Sequence, residues 1–167
     1  MGSPLDARRR PPHLRAMSDS NPFMAAAFAA AEAAGARGEV PIGAVVVEAA
    51  SGRILAAAGN RTEAEADPTA HAELLAIRAA CALRGDPRLP DCDLYVTLEP
   101  CPMCATAIGF ARIRRLYFAA YDPKGGGVEH GPRIYDHPTC HHRPEVYGGI
   151  GEQRAAALLR AFFQARR

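Results

Sequence analysis

The apolar positions of the chain change period several times, and each change marks an element. Asn21-Pro22 supplies a helix N-cap followed by a first-turn proline. Residues 22–36 then read as an alanine-rich helix with Phe23, Ala27 and Ala30 or Ala31 on one face, closed by Gly35 and Gly38. Pro41 opens an apolar run, Ile42 to Val47, of strand type. Ser51-Gly52 is turn chemistry, and Arg53 to Gly59 returns, so the two runs predict a β-hairpin. Residues 61–69 are polar. Asp67-Pro68-Thr69 is suited to cap a helix over about 70–84, in which Leu74, Leu75, Ile77 and Ala80 recur at helical spacing.

The proline-rich connection Gly85 to Cys92 leads into a strand, Asp93 to Leu98, stopped by Pro100. A helix is expected over about 102–112, a strand over Arg114 to Tyr121, and a short strand over Glu145 to Tyr147. Residues 151–166 read as a closing helix with Leu158, Leu159, Phe162 and Phe163 facing inward. Between the last two strands, Asp122-Pro123-Lys124-Gly125-Gly126-Gly127 starts a flexible loop running to about residue 143. A loop of that length in a compact domain is often functional. Residues 1–20, rich in Arg, Pro and Ser without apolar periodicity, are expected to be a disordered tail ahead of one domain, 21–167.

Composition narrows the picture little. The chain of 167 residues is 49% hydrophobic, enough for a sizeable core. No apolar run approaches the length of a membrane span, and the arginine-bearing start lacks the apolar stretch of a secretory signal. Net charge is +2, but residues 1–16 hold four arginines and one aspartate, which leaves 16 basic against 17 acidic residues in the rest. Bulk charge therefore gives no argument for nucleic acid, and such a partner would need a local basic patch. The candidates are Lys124, Arg133 and Arg143 in the loop, and Arg154, Arg160, Arg166 and Arg167 at the end. Five cysteines without a disulfide framework point to a reducing compartment, taken as the cytoplasm.

The chemistry concentrates at Glu99-Pro100-Cys101-Pro102-Met103-Cys104 and, 30 residues upstream of its first cysteine, His71-Ala72-Glu73. His-x-Glu followed by Pro-Cys-x-x-Cys is the signature of zinc deaminases. Zinc takes imidazole nitrogen and thiolate sulfur, and three protein ligands leave a position for water. His71, Cys101 and Cys104 are the three candidate ligands. Glu73 is poorly placed as a fourth ligand and well placed to move protons, as its base and then its acid. A structural zinc knuckle and two unrelated buried thiols are the alternatives. His71 and Glu73 fall in the first turn of their helix and the cysteines begin the next, so two helix N-termini would face one metal and stabilise its thiolates. One zinc per chain is expected, because His130, His137, His141 and His142 share a loop without cysteine partners. Asn60, leaving its strand just before the motif, is either a turn former or a base contact.

At these residues the chain resembles the cytidine-deaminase superfamily and, within it, the bacterial tRNA-specific adenosine deaminases. The matching stretches are Asp67 to Glu73, Tyr95 to Cys101, Asp122 to Gly126 and the closing Phe162-Phe163. The resemblance implies an α/β fold of cytidine deaminase type, a three-layer α/β/α sandwich around a five-stranded mixed sheet, and a homodimer that forms an RNA groove. It implies zinc on His71, Cys101 and Cys104, proton shuttling by Glu73, and a base held by Asn60 and the backbone around Ala72. Asp122, Lys124 and His137 resemble contacts to flanking nucleotides. Many members carry asparagine where this chain has His141 ahead of His142-Arg143. Pro102 is similar to the guanine and cytosine deaminases. Three functions follow as expectations. The first is hydrolysis of adenosine to inosine at the wobble position in the anticodon arm of tRNA. The second is deamination of a free base or nucleoside such as guanine or cytosine. The third is a silent zinc module that binds RNA, against which the intact Glu73 argues.

Overall fold

A computed structural model describes residues 20–167. The expected tail, Ser20 apart, lies outside the described residues. Helix α1 spans Pro22–Ala36, and the Asn21 side chain accepts the amides of Phe23 and Met24, as the N-cap reading requires. Strands β1 (Gly43–Glu48) and β2 (Arg53–Gly59) form the expected antiparallel hairpin, with an irregularity at Val46/Val47. Then follow α2 (Ala72–Arg84), β3 (Cys92–Leu98), α3 (Pro102–Phe110), β4 (Arg115–Ala120), β5 (Glu145–Gly148) and α4 (Glu152–Gln164).

The five strands lie in the order β2-β1-β3-β4-β5. The β1 and β3 strands pair antiparallel, while β3–β4 and β4–β5 are parallel, so the sheet is mixed as expected. Its central strands are buried on both faces, which is why their sequences are continuously apolar rather than alternating. The period of two still sorts their side chains. Ala44, Val46, Leu94, Val96, Leu116 and Phe118 meet α2 and α3 on one face. Val45, Val47, Tyr95 and Tyr117 meet α1 and α4 on the other. The result is the three-layer α/β/α sandwich. Gly43 lets α1 lie close: a Cβ there would strike the Ala27 carbonyl oxygen and the Ala31 nitrogen.

Four local expectations are corrected. Helix α2 starts at Ala72 rather than near residue 70. The Asp67 carboxylate accepts the amide and hydroxyl of Thr69 in a local turn and so does not cap the helix. The long loop is pinned rather than free: it contains a 3-10 turn, Ile134–Asp136, whose buried Tyr135 donates its hydroxyl to the Ala105 carbonyl at 2.9 Å. The closing helix is only half covered. Ala155 is its buried residue, Leu158 and Leu159 are half-buried, and Phe163 is 50% exposed.

Candidate metal centre and active site

The site forms where α2 and α3 begin. His71 and Cys101 are the N-cap residues of these helices, both in extended backbone conformations. Neither side chain caps its own helix, so imidazole and thiol are free to turn toward each other. Cys104, in the first turn of α3, completes the group. His71 Nδ1 lies 3.7 Å from Cys101 Sγ and 3.6 Å from Cys104 Sγ, and the three donor atoms all fall within 4.8 Å of one another. Bond lengths of about 2.3 Å to sulfur and 2.0–2.1 Å to nitrogen at a tetrahedral metal give an S···N edge of about 3.6 Å. The trio therefore fits a zinc ion.

The electrostatics agree. Hydrogen bonds from the Cys104 thiol and from His71 bring Cys101 down to about 4. The bond to Cys101 raises His71, while hydrogen bonding to Cys101 and burial push Cys104 up. Zinc needs both sulfurs as thiolates and the imidazole neutral, so its binding releases the protons these donors carry. The partial positive ends of α2 and α3 point at this cluster.

Glu73 sits in the first turn of α2, 4% exposed. Burial pushes its carboxyl up to about 7, and it lies within hydrogen-bonding reach of Cys104. A buried carboxyl beside the trio, with its pKa near neutrality, can both take and give a proton. Asn60 is buried where β2 ends, and its Oδ1 accepts the Ala72 amide at 2.9 Å. The backbone donor at Ala72 is thus already engaged by Asn60. The Arg37 guanidinium reaches the Asn60 carbonyl at 3.4 Å.

The remaining candidates divide. Asp122 and Lys124 lie on the segment that follows β4, where the Asp122 carboxylate accepts the amides of Lys124 and Gly125. His137 and His141 lie elsewhere: with Thr106, Phe110 and Ile134 they line a cavity of about 480 Å³ to which none of the metal trio contributes. His137 Nε2 sits 2.6 Å from the Pro132 carbonyl and His142 Nε2 2.6 Å from that of Ile113, so both rings tie down the loop. Among the described residues, His71, Cys101 and Cys104 are the one group suited to a metal. The basic patch is thinner than the sequence suggests, since Arg133 pairs with Asp136 and Arg154 with Glu32.

Sequence reading passes over Glu39 and takes Glu99 only as the preface of the metal motif, yet both are buried and hold the chain around them. Glu39 is buried ahead of β1 and accepts the amides of Glu63 and Ala64 and the Thr62 hydroxyl. Glu99 is buried after β3. The signal for both is the same: a carboxylate set among apolar residues and a proline, in Gly38-Glu39-Val40-Pro41 and Leu98-Glu99-Pro100.

A layered α/β sandwich with a His/Cys/Cys trio at paired helix N-termini defines a zinc-site enzyme fold. The chain belongs to the cytidine and deoxycytidylate deaminase family, whose zinc-binding region matches residues 17–120. It is 56% identical over 151 residues to a tRNA-specific adenosine deaminase of Agrobacterium fabrum, covering 90% of this chain and 98% of that one. It is 42% identical to the Bacillus subtilis protein of the same name, over 89% of this chain and 91% of that one. A solved structure from work on A-to-I editing by tRNA:A34 deaminases at the wobble position of transfer RNA superposes with a TM-score of 0.80 at 58% identity, covering 82% of this chain and 98% of the other. A guanine deaminase from Nitrosomonas europaea superposes with a TM-score of 0.75 at 26% identity, over 96% of this chain and 98% of the other.

Proposed function

We propose that this protein hydrolyses adenosine to inosine at the wobble position of tRNA, releasing ammonia, with residues 21–167 acting as a single deaminase domain. The observation that carries the chemistry is the buried Glu73 carboxyl beside the His71, Cys101 and Cys104 donors. The likeness to tRNA-specific adenosine deaminases across nearly the whole of the Agrobacterium fabrum protein supports the substrate. The guanine deaminase likeness, at 26% identity, supports free-base deamination less.

His71, Cys101 and Cys104 hold the zinc, one per chain. Bound there, zinc supplies Lewis-acid activation of water, lowering its pKa from about 15.7 to roughly 7. Glu73 accepts the proton that water gives up as its oxygen adds to C6 of adenine. The same carboxyl delivers that proton to the ring nitrogen N1, then takes the proton of the hydroxyl now on C6 and passes it to the departing amine. Adenosine and water thus become inosine and ammonia, and Glu73 ends as it began. Asn60, its Oδ1 engaged by Ala72, has its amide nitrogen available to the base or ribose. Asp122 and Lys124 meet the flanking nucleotides of the anticodon arm. His137 and His141, on the cavity beside α3, serve substrate only if RNA extends over that face.

A homodimer is supported by Phe110, 73% exposed at the rim of the cavity beside α3, where a second copy of the chain would cover it. No helix among the described residues is long and apolar enough to cross a membrane. A tRNA substrate supports a cytoplasmic location. The test is purified protein with an anticodon stem-loop RNA against free guanine, cytosine and adenosine, scored for ammonia. Turnover of the RNA alone is the expected result.

A further inference from the structure

The proton chemistry leaves the buried Glu99 carboxyl unused. The Glu99 side chain has no exposed surface, and its two oxygens accept five hydrogen bonds. Oε1 takes the amides of Val128, Glu129 and His130 at 3.3, 2.8 and 3.0 Å. Oε2 takes the Asp122 amide at 2.9 Å and faces His130 Nδ1 at 2.8 Å. Every one of these donors lies on the segment after β4, and Glu99 itself stands two residues ahead of Cys101.

The fit is close enough to depend on glycine. A Cβ on Gly126 would come within 2.5 Å of Glu99 Oε1, and one on Gly127 within 2.6 Å of Pro102. The Gly127 amide donates to the Pro100 carbonyl at 2.8 Å. The segment is therefore folded directly onto the stretch that carries the first metal-binding cysteine. From Asp122 the connection runs on, because its carboxylate accepts the amides of Lys124 and Gly125 and so fixes the turn that presents Lys124.

We propose that Glu99 is a positioning residue for substrate RNA. Its carboxylate gathers five donors and thereby holds Asp122 and Lys124 on the segment folded against the stretch that carries Cys101, where they can meet nucleotides flanking the target base. Glu99 touches neither base nor metal. It acts through the Asp122 amide, so its removal raises KM for RNA and leaves the chemical step alone. This rests on the reading of RNA as the substrate.

Glu99→Gln isolates the contact. The glutamine oxygen keeps the three amides at the Oε1 position, and His130 can accept from the new NH₂ by changing tautomer. Only the Asp122 N–H is left facing another donor, a buried group without a partner. Gly126→Ala disturbs the same carboxylate from its other oxygen, by driving its new Cβ into Glu99 Oε1 and the Asp122 carbonyl oxygen, and carries the test if the glutamine variant does not fold. Both variants should keep one zinc per chain and a kcat within about twofold of wild type. Both should raise KM for an anticodon stem-loop about tenfold, the order expected for one orphaned buried donor. Hydrogen exchange should quicken at the amides of residues 122–126. If wild type edits the stem-loop while both variants keep its KM, or if zinc or kcat is lost instead, the positioning role is wrong. If wild type leaves the stem-loop untouched, the RNA reading itself falls and takes this role with it.

Discussion

Asn60 Oδ1 accepts the Ala72 amide at 2.9 Å, so one side chain joins the end of β2 to the first residue of the helix behind His71. The bond satisfies an N–H that the helix cannot pair internally, which the N-cap imidazole leaves alone. Asn60 therefore has a structural role through its oxygen, and the substrate contact proposed for it falls to its nitrogen.

The two roles separate by substitution. Asn60→Ala should lower both the melting temperature and activity, because it removes the acceptor as well as the donor. Asn60→Asp keeps the acceptor and removes the donor. It should retain zinc and nearly all of the melting temperature while activity falls by about 1–3 kcal/mol in kcat/KM, the usual cost of an unmet buried partner. Full activity in Asn60→Asp would leave Asn60 as a helix cap only.

Metal content should be one zinc per chain after dialysis. Cys101→Ser or Cys104→Ser should lose zinc and activity together, since a hydroxyl is a poor substitute for thiolate. Chelation should also lower the melting temperature. A ligand present at 100 times its Kd stabilises by about 2.7 kcal/mol, or roughly 5–10 °C in a chain of this size. Two zincs per chain would contradict the single site.

Stability should fall with acid partly through Glu39. Burial alone would raise its carboxyl, but the amides of Ala64 and Glu63 and the Thr62 hydroxyl outweigh this and hold it below the usual 4.5. A depressed folded pKa gives stability that is complete above the unfolded value and lost as pH falls through the folded one. Denaturant melts of wild type and Glu39→Gln should thus differ most above the ordinary glutamate range and converge as pH falls below it. A gap that is constant with pH would show that the ionised form of Glu39 contributes nothing.

Much of this was legible in the sequence because apolar period and turn chemistry act locally. Ile42 to Val47 reads as a strand from its apolar run, and Ser51-Gly52 with the returning Arg53 to Gly59 gives the hairpin. The metal trio was legible because thiolate and imidazole at that spacing have few other uses. What escaped depends on partners distant in sequence. Asp67 is the exception, since Thr69 is only two residues on: a local turn and a helix cap draw on the same residue type, and here the carboxylate closes the turn. The segment after β4 looked flexible because its order comes from Glu99, more than 20 residues upstream. Phe163 fitted an inward stripe, but α4 lies at the edge of its layer and is covered along only one side.

The exposed Phe110 gives a test of assembly. Phe110→Asp should shift the protein from dimer to monomer in sedimentation or light scattering at micromolar concentration, with zinc retained. A charge at the centre of an apolar contact costs more than such a contact can lose. An unchanged dimer would move the interface away from the cavity beside α3.

The most direct measurement is inosine formed in an anticodon stem-loop RNA, determined with zinc content on the same samples of wild type and Glu73→Gln. Wild type should convert the wobble adenosine and release one ammonia per inosine. Glu73→Gln should fold and hold one zinc yet form no detectable inosine. Turnover by a zinc-loaded Glu73→Gln protein, or wild type that deaminates a free base and ignores the RNA, would contradict the account.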